Sequence, residues 1–340
     1  MRQLSAVRQR SEDYERASLS SWATLALDTK GRERAEDPDP LRTAFQQDRD
    51  RILRCDAFGR LADKTQTFLP AGGGRPASRD RVRLTHALEV AQVGRTIARA
   101  LRLNEDLVEA IALGHDLGHT PFAGAGEEAL SVFTDEPFRH HEQSVRVVEV
   151  LERSGAGLNL TWEVREGILH HPWIMPPPST PEGQAVRVAN RITTATSDLA
   201  DALAWGIVAH GDVPAAVLAV LGQRQGEWIA ALVADVVTTS LDAPEVAFSP
   251  RVEATHTALR EFLAERVHAR PAARERGDRA IHVLRSLVVH ALETPQALPA
   301  PARPDDPPVV RVLDEVAGMT DGRALEEFSR LFVPPSSPTG

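Results

Sequence analysis

The sequence predicts an all-α protein, on three observations. Apolar residues recur at spacings of three and four in one segment after another, strand-type alternation is absent, and prolines, glycines and Asn104 stand where helices would begin or end. At 340 residues the chain can form one large domain or two of ordinary size. No apolar run approaches the roughly 18 to 20 residues of a membrane span, and Met1-Arg2-Gln3-Leu4 lacks the apolar core of a signal peptide. A cytoplasmic protein is therefore expected.

Residues 1–40 are polar and charged, end in Glu36-Asp37-Pro38-Asp39-Pro40, and read as an extended N-terminal arm. From residue 41 the pattern turns helical. Phe45, Ile52, Leu53 and Ala57 fall at roughly helical spacing among Arg42, Asp48, Arg49, Asp50, Arg51 and Arg54, which gives a helix with a highly charged outer face. Residues 70–80 read as a plain linker: glycines are present, but no strand precedes them and no Gly-Lys-Ser/Thr follows, as a phosphate loop requires. The next helix starts near Thr85-His86 and places Val90, Val93, Ile97 and Leu101 on one face. Asn104 caps a further helix, with Glu105 and Asp106 in its first turn, where the helix dipole favours negative charge. That helix delivers His115 and Asp116 at its C-terminal end.

Residues 144–151 and 161–171 give two more helices, the second stopped by Pro172 and Pro176-Pro177-Pro178. A long helix over 182–207 has Val186, Ala189, Ile192, Leu199, Leu203 and Ile207 as its inner stripe, with Asp198 close to it. Helical periodicity continues over 215–221, 228–237, 254–267 and 279–292. After a Pro-rich stretch from residue 295, one short helix follows around 321–332. The domain reading is a catalytic core over 41–210 and a helical region over 211–340 packed on it.

The chemistry concentrates in Gly114-His115-Asp116-Leu117-Gly118-His119-Thr120-Pro121-Phe122-Ala123-Gly124-Ala125-Gly126-Glu127-Glu128. A single cysteine, Cys55, excludes an internal disulfide and thiolate zinc clusters, so any metal is held by His, Asp and Glu, which favours harder ions. The formal net charge of -9 argues against a general affinity for nucleic-acid backbone, and nucleic acid is not indicated as a partner. Three segments can converge on one ion: His86, the pair His115-Asp116, and Asp198. Two imidazoles and two carboxylates leave positions for water and substrate, as a hydrolytic site needs. Singly, each is an ordinary helix-end or surface residue. The adjacent pair is the more telling, because a carboxylate at a helix C-terminus opposes the dipole and needs a compensating partner.

Arg83-Leu84-Thr85-His86, then residues 114–122, then Asp198-Leu199-Ala200-Asp201 resemble the H…HD…D signature of the HD superfamily, specifically its deoxyguanosine triphosphate triphosphohydrolase (dGTPase) branch. The resemblance extends through Arg42-Thr43-Ala44-Phe45-Gln46-Gln47-Asp48-Arg49-Asp50-Arg51-Ile52, Lys64-Thr65-Gln66, Phe138-Arg139-His140-His141-Glu142-Gln143-Ser144, Gly157-Leu158-Asn159-Leu160-Thr161-Trp162-Glu163-Val164, Glu182-Gly183-Gln184 and Asp314-Glu315-Val316-Ala317-Gly318-Met319-Thr320-Asp321. It implies an HD-domain helical core with additional C-terminal helices. It also implies an enzyme that cleaves deoxynucleoside triphosphates, dGTP included, at the α-phosphorus, releasing a deoxynucleoside and inorganic triphosphate. The implied metal ligands are His86, His115, Asp116 and Asp198, holding Mg, Mn or Fe. Arg51, Lys64 and Arg83 are candidates for the triphosphate, since arginine matches phosphate oxygens bidentately. Gln66 stands where the family contacts the nucleotide. A homo-oligomer is implied as well, and the apolar helices after Val213 offer surfaces for it.

The departures are as informative. The family pattern continues Pro-Phe-Gly-His-Ala-Gly-Glu with a catalytic His, whereas Pro121-Phe122-Ala123-Gly124-Ala125-Gly126-Glu127 puts Gly124 in its place and keeps only Glu127. In the long helix a pattern similar to Ala-Asp-Arg-Ile-Ala-Tyr-Ile-Asn-His-Asp becomes Ala189-Asn190-Arg191-Ile192-Thr193-Thr194-Ala195-Thr196-Ser197-Asp198. Gly59 stands for an Arg and Glu315 for a Tyr. These changes imply a metal site kept and a pocket remodelled. His119, one helical turn from His115, and His140 are the candidates to carry the proton, with Glu127 or Glu142. His170 and His171 end a helix, where the dipole suits imidazolium, and are expected to be structural. Two other readings compete: a metal- and nucleotide-binding regulatory protein that has lost turnover, and an HD phosphohydrolase acting on another phosphoester, such as a nucleoside monophosphate.

Overall fold

The computed structural model describes residues 2–67, 81–294, 296 and 298–334. The linker expected over 70–80 lies outside the described residues. Fifteen α-helices are described: α1 (Arg2–Ser18), α2 (Ala44–Leu53), α3 (Asp56–Arg60), α4 (Arg83–Leu101), α5 (Glu105–Gly114), α6 (Gly124–Leu130), α7 (His140–Arg146), α8 (Trp162–His170), α9 (Pro181–Ala204), α10 (Ala215–Leu221), α11 (Gln225–Ser240), α12 (Pro250–Leu263), α13 (Pro271–Glu293), α14 (Pro308–Gly318) and α15 (Asp321–Phe332). Extended pairing among the described residues is limited to two isolated bridges, Arg32 with Thr161 and Thr65 with Val82. The all-α expectation is met. No described helix is long and apolar enough to cross a membrane.

Local signals place the central helices. The Asn104 side chain accepts hydrogen bonds from the amides of Asp106 and Leu107 and so satisfies two orphan donors at the start of α5. Thr180 does the same for Gly183, and Pro181 fits the first position of α9, where its missing N–H is no loss. Helices α2, α4, α8 and α9 pack around α5. Their buried faces meet through Ile52, Val90, Leu107, Ile111, Ile168 and Ile192, each almost fully removed from water and each worth about 1.5–3 kcal/mol of transfer free energy. Two glycines let the elements around the central bend approach closely. A Cβ on Gly114 would lie 2.6 Å from Ile168 of α8, and one on Gly118 would lie 2.1 Å from the Ser144 nitrogen of α7.

Two differences from the sequence reading have physical causes. The arm over 1–40 is not extended throughout, because Arg2–Ser18 is helical. The arm is also tied down by buried carboxylates instead of an apolar stripe: Glu15 accepts from the Ala26 amide, Glu182 of α9 from Thr24, and Glu163 of α8 from Thr29 and Lys30. Helices α6 and α14 were not expected, the first being glycine-rich and the second lying inside the Pro-rich stretch. The apolar core runs past residue 210. Val213, Trp228, Leu259 and Val267 belong to the same cluster as α4, α5 and α9. The separate cluster joins α6 to α13, α14 and α15 around Phe122, Leu130, Leu284 and Leu313.

Candidate active site

The bend that follows α5 and the start of α7 meet α4, α9 and α13 in one cleft of about 680 Å³. His86 comes from the first turn of α4 and His115-Asp116 from just past α5. One donor atom from each lies within 4.8 Å of the other two, and all three side chains are buried. Asp116, His119 and His140 satisfy the same criterion, so Asp116 is shared by two clusters.

Backbone contacts orient these groups. His115 directs Nδ1 at the Ala112 carbonyl, 2.7 Å away, which leaves Nε2 without a hydrogen bond and 3.4 Å from Asp116 Oδ1. The Ser144 hydroxyl bridges the turn, accepting from the Gly118 amide and donating to the His115 carbonyl. Arg83 Nη1 donates to Asp116 Oδ2 at 2.5 Å and Nη2 donates to the Gln66 carbonyl. This supplies the positive partner that a carboxylate at a helix end requires. Burial alone would raise the Asp116 carboxyl, but His115 and Arg83 beside it hold it well below the usual carboxylate range.

Burial pushes the His86 imidazole down to about 3 and lowers His115, and it drives His119 and His171 well below the usual histidine value. These rings are neutral at physiological pH, as a metal ligand must be. His119 stacks on His140, with centroids 4.4 Å apart and planes at 20°. Glu127 accepts from the His140 amide at 2.7 Å and contacts Nδ1 at 2.9 Å, so Nε2 is directed inward, 3.2 Å from His171 Nε2 and 3.9 Å from Asp116. Burial opposes ionisation of Glu127, and the His140 contacts outweigh it, keeping the carboxyl below its usual value.

Among the expected metal residues, His86, His115 and Asp116 are brought together, while Asp198 belongs to neither cluster. It lines the same cleft but pairs with His268 Nε2 at 3.3 Å. The α9 side chain in contact with His86 is Asn190, whose amide oxygen lies 2.9 Å from Nε2. Asn190, Thr194 and Asp198 are spaced by four and face the cleft on successive turns. The sequence did signal this: Asn190 occupies the Asp of the family's Ala-Asp-Arg-Ile pattern.

Among the expected substrate residues, Arg83 and Gln66 line the cleft. Arg51 does not reach it. Its guanidinium donates to the carbonyls of Leu158 and Asn159 at 2.9 Å and pairs with Glu36. Lys64 is buried, with Nζ donating to the carbonyls of His119 and Ala317, so it faces no solvent-filled space. Both corrections have one cause: composition reveals basic side chains but not the direction in which packing turns them. Sequence reasoning also missed His268 and Arg274, which enter the cleft from between α12 and α13 and from α13. It assigned His171 a helix-end role, yet the ring touches His115 and His140. An adjoining cavity of about 580 Å³ shares Asn190, Thr194, Asp198 and His268 with the cleft and is closed by Trp173, Arg191 and His256.

Comparison with known proteins agrees with this geometry. Residues 83–195 match the HD domain and residues 246–330 the phosphohydrolase-associated domain. The chain is 44% identical over 339 residues to a deoxyguanosinetriphosphate triphosphohydrolase-like protein of Caldanaerobacter subterraneus subsp. tengcongensis, covering 96% of each. Proteins of the same description from Desulfatibacillum aliphaticivorans and Clostridium perfringens are 41% and 39% identical, each with 96% of this chain and 98% of the relative covered.

Proposed function

The chain belongs to the dGTPase-like branch of the HD-domain metal-dependent phosphohydrolases, and from that premise we propose that it hydrolyses deoxynucleoside triphosphates, dGTP included, at the α-phosphorus, giving a deoxynucleoside and inorganic triphosphate. The observation that carries the reading is that Asp116 is shared by the His86–His115 cluster and the His119–His140 cluster, with Glu127 holding His140, and that His86, Asp116, His119 and His140 line one cleft.

HD domains bind divalent metals, and this donor set fits one. The neutral imidazoles of His86 and His115, the latter with Nε2 unbonded, and an ionised Asp116 share one small volume. His86, His115 and Asp116 would hold Mg, Mn or Fe, with Asn190 as the α9 side chain beside them and Asp198 paired with His268. A bound ion supplies Lewis-acid polarisation of a phosphate oxygen. The protein's own groups do the rest. Arg83 holds Asp116 and offers positive charge to the phosphates. Gln66 lines the opening. His140, steadied at Nδ1 by Glu127, and His119, stacked on it, move the proton that a histidine in place of Gly124 would otherwise carry.

A second reading is favoured by two specific observations: Gly124 offers no side chain, and Asn190 supplies an uncharged oxygen where a carboxylate would bind an ion more tightly. Both suit a metal- and nucleotide-binding regulator with little turnover. One assay separates the readings. The protein is loaded in turn with Mg, Mn and Fe, incubated with each dNTP, NTP and dNMP, and the products are resolved by chromatography. Triphosphate with deoxynucleoside supports the first reading, tight binding without product the second, and phosphate from a monophosphate points to another phosphoester substrate. The family also implies a homo-oligomer, which light scattering of the purified protein tests.

A further inference from the structure

The bend between α5 and α6 is backbone that its own sequence does not favour. Phe122 and Ala123, neither of them glycine, have φ of 62° and 57°. Side-chain-bearing residues seldom adopt that region, and such a pair persists only where the surroundings fix it. Besides the local bonds that the Ala123 carbonyl accepts from the Thr120 hydroxyl and the Gly126 amide, the contacts that fix it come from two places distant in sequence. Lys64 Nζ donates to the His119 carbonyl at 2.5 Å and to the Ala317 carbonyl at 2.7 Å. Asp321 accepts the Phe122 amide on Oδ1 at 2.9 Å and the Thr65 amide on Oδ2 at 3.1 Å. The corner from the end of α14 to the start of α15 thus grips both the 64–65 segment and the 119–122 bend. The grip continues towards the cluster, because the Arg83 amide donates to the Lys64 carbonyl and the Arg83 guanidinium holds Asp116.

Lys64 is 1% exposed, and both of its acceptors are uncharged carbonyls. Taking an amine out of water for two such partners is unfavourable, and an apolar chain would fill the same space with less penalty. Burial pushes the Lys64 amine down to about 7. Space-filling therefore does not account for a lysine here, whereas tying the last turn of α14 to the carbonyl of His119 does.

We propose that Lys64 and Asp321 are positioning residues that act through the His119 carbonyl and the Phe122 amide to seat His119 against His140, so that the geometry of the bend depends on the α14–α15 corner. The proposal rests on the reading of His119 as a proton-carrying group only for its kinetic consequence; the dependence of the bend on the corner stands without it.

The test uses the full chain with Lys64→Met and Asp321→Asn, the latter keeping one of two acceptors and serving where Lys64→Met does not fold. Hydrogen–deuterium exchange over 118–126 is expected to quicken by about tenfold or more in either variant, with α4 and α9 unchanged, since loss of a local restraint opens only the unit it restrains. With dGTP and Mn²⁺ as probes, kcat is expected to fall about tenfold at unchanged KM, the size of effect that a small misplacement of a reacting group produces. In a His119→Ala background the same substitutions should change kcat less than about twofold, because groups acting as one unit are not additive. Unaltered exchange over 118–126 in a folded variant overturns the proposal, and so does an equal loss of kcat in both backgrounds. Absence of dGTP turnover in the unsubstituted protein overturns the functional reading instead, and the exchange measurement then decides the proposal alone.

Discussion

The amide oxygen of Asn190 lies 2.9 Å from His86 Nε2, while the Asp198 carboxylate two turns further along α9 pairs with His268. The long helix therefore sets an uncharged group against the cluster, while its anionic one lines the same cleft paired with His268. Ion affinity in oxygen-rich sites rises with the number of charged ligands, so Asn190→Asp is expected to tighten Mn²⁺ binding by roughly tenfold or more. Asp198→Ala should leave the affinity within about threefold, while His115→Ala should abolish binding. Titration followed by the EPR signal of free Mn²⁺ reads all three, and a loss of affinity in Asp198→Ala as large as that in His115→Ala would return Asp198 to the ligand set.

Gly124 has room beside it. A Cβ built there meets nothing within 4 Å, and the residue lines the cleft. Gly124→His should therefore fold normally. If the missing proton carrier limits the reaction, dNTP turnover should rise by about 10²-fold, within the range general acid–base assistance supplies. Steady-state kinetics with unchanged circular dichroism checks this. Unchanged turnover would show that His119 and His140 already meet the need.

Glu127 accepts two hydrogen bonds from His140 through one oxygen. Glu127→Gln keeps an acceptor but removes the charge that fixes the ring, so kcat is expected to drop by roughly tenfold while the thermal midpoint moves little. His140→Ala removes the group itself and should cost at least as much. A Glu127→Gln protein with full kcat would reduce Glu127 to a cap for the His140 amide.

Arg51 marks the limit of reading chemistry from composition. Its guanidinium satisfies the Leu158 and Asn159 carbonyls and pairs with Glu36, whose carboxyl that hydrogen bond brings down to about 2. Arg51→Ala strands the Leu158 carbonyl, the Asn159 carbonyl still accepting from Arg32, and an unsatisfied buried acceptor costs about 1–3 kcal/mol. Chemical denaturation should show that loss, with KM for any nucleotide unchanged. A raised KM at unchanged stability would return Arg51 to the substrate.

What could be read in advance follows from how local each signal is. The Asn104 cap, the apolar stripes of α4 and α9 and the His115-Asp116 pair are encoded within a few residues, and the structure keeps all of them. Asn190 was visible only as a departure, because an amide is not a residue type one looks for in a metal cluster. His268 and Arg274 reach the cleft, and His171 reaches His115 and His140 behind it, through the packing of α8, α12 and α13, which no local pattern records. Helix α1 was missed because it docks through a buried carboxylate, and a polarity-based reading assigns carboxylates to solvent.

That carboxylate gives a pH-dependent prediction. Glu15 is 8% exposed and accepts the Ala26 amide at 2.7 Å. Burial, the largest influence, raises its carboxyl to about 7, against the lowering effect of the hydrogen bonds from Ala26 and Asn104. In the unfolded chain a glutamate titrates near its ordinary value of about 4.3. Between those two values the folded protein holds more protons at this site than the unfolded one, so stability falls as pH rises through the window and levels off above about 7. The contribution lost is on the order of 2 kcal/mol, taking about 1.4 kcal/mol for each pH unit between the folded and unfolded values and allowing for partial solvent access. Glu15→Gln keeps an acceptor for the Ala26 amide and carries no charge at any pH. The variant should match the parent near pH 4.5 and exceed it in thermal midpoint near pH 8, by several degrees. The informative quantity is the difference between the two unfolding curves across pH 4.5 to 8, because every other titrating group is common to both proteins. A difference that stays flat across that range would show that the Glu15 carboxyl ionises in the folded protein as it does in water, and that α1 docks without burying it.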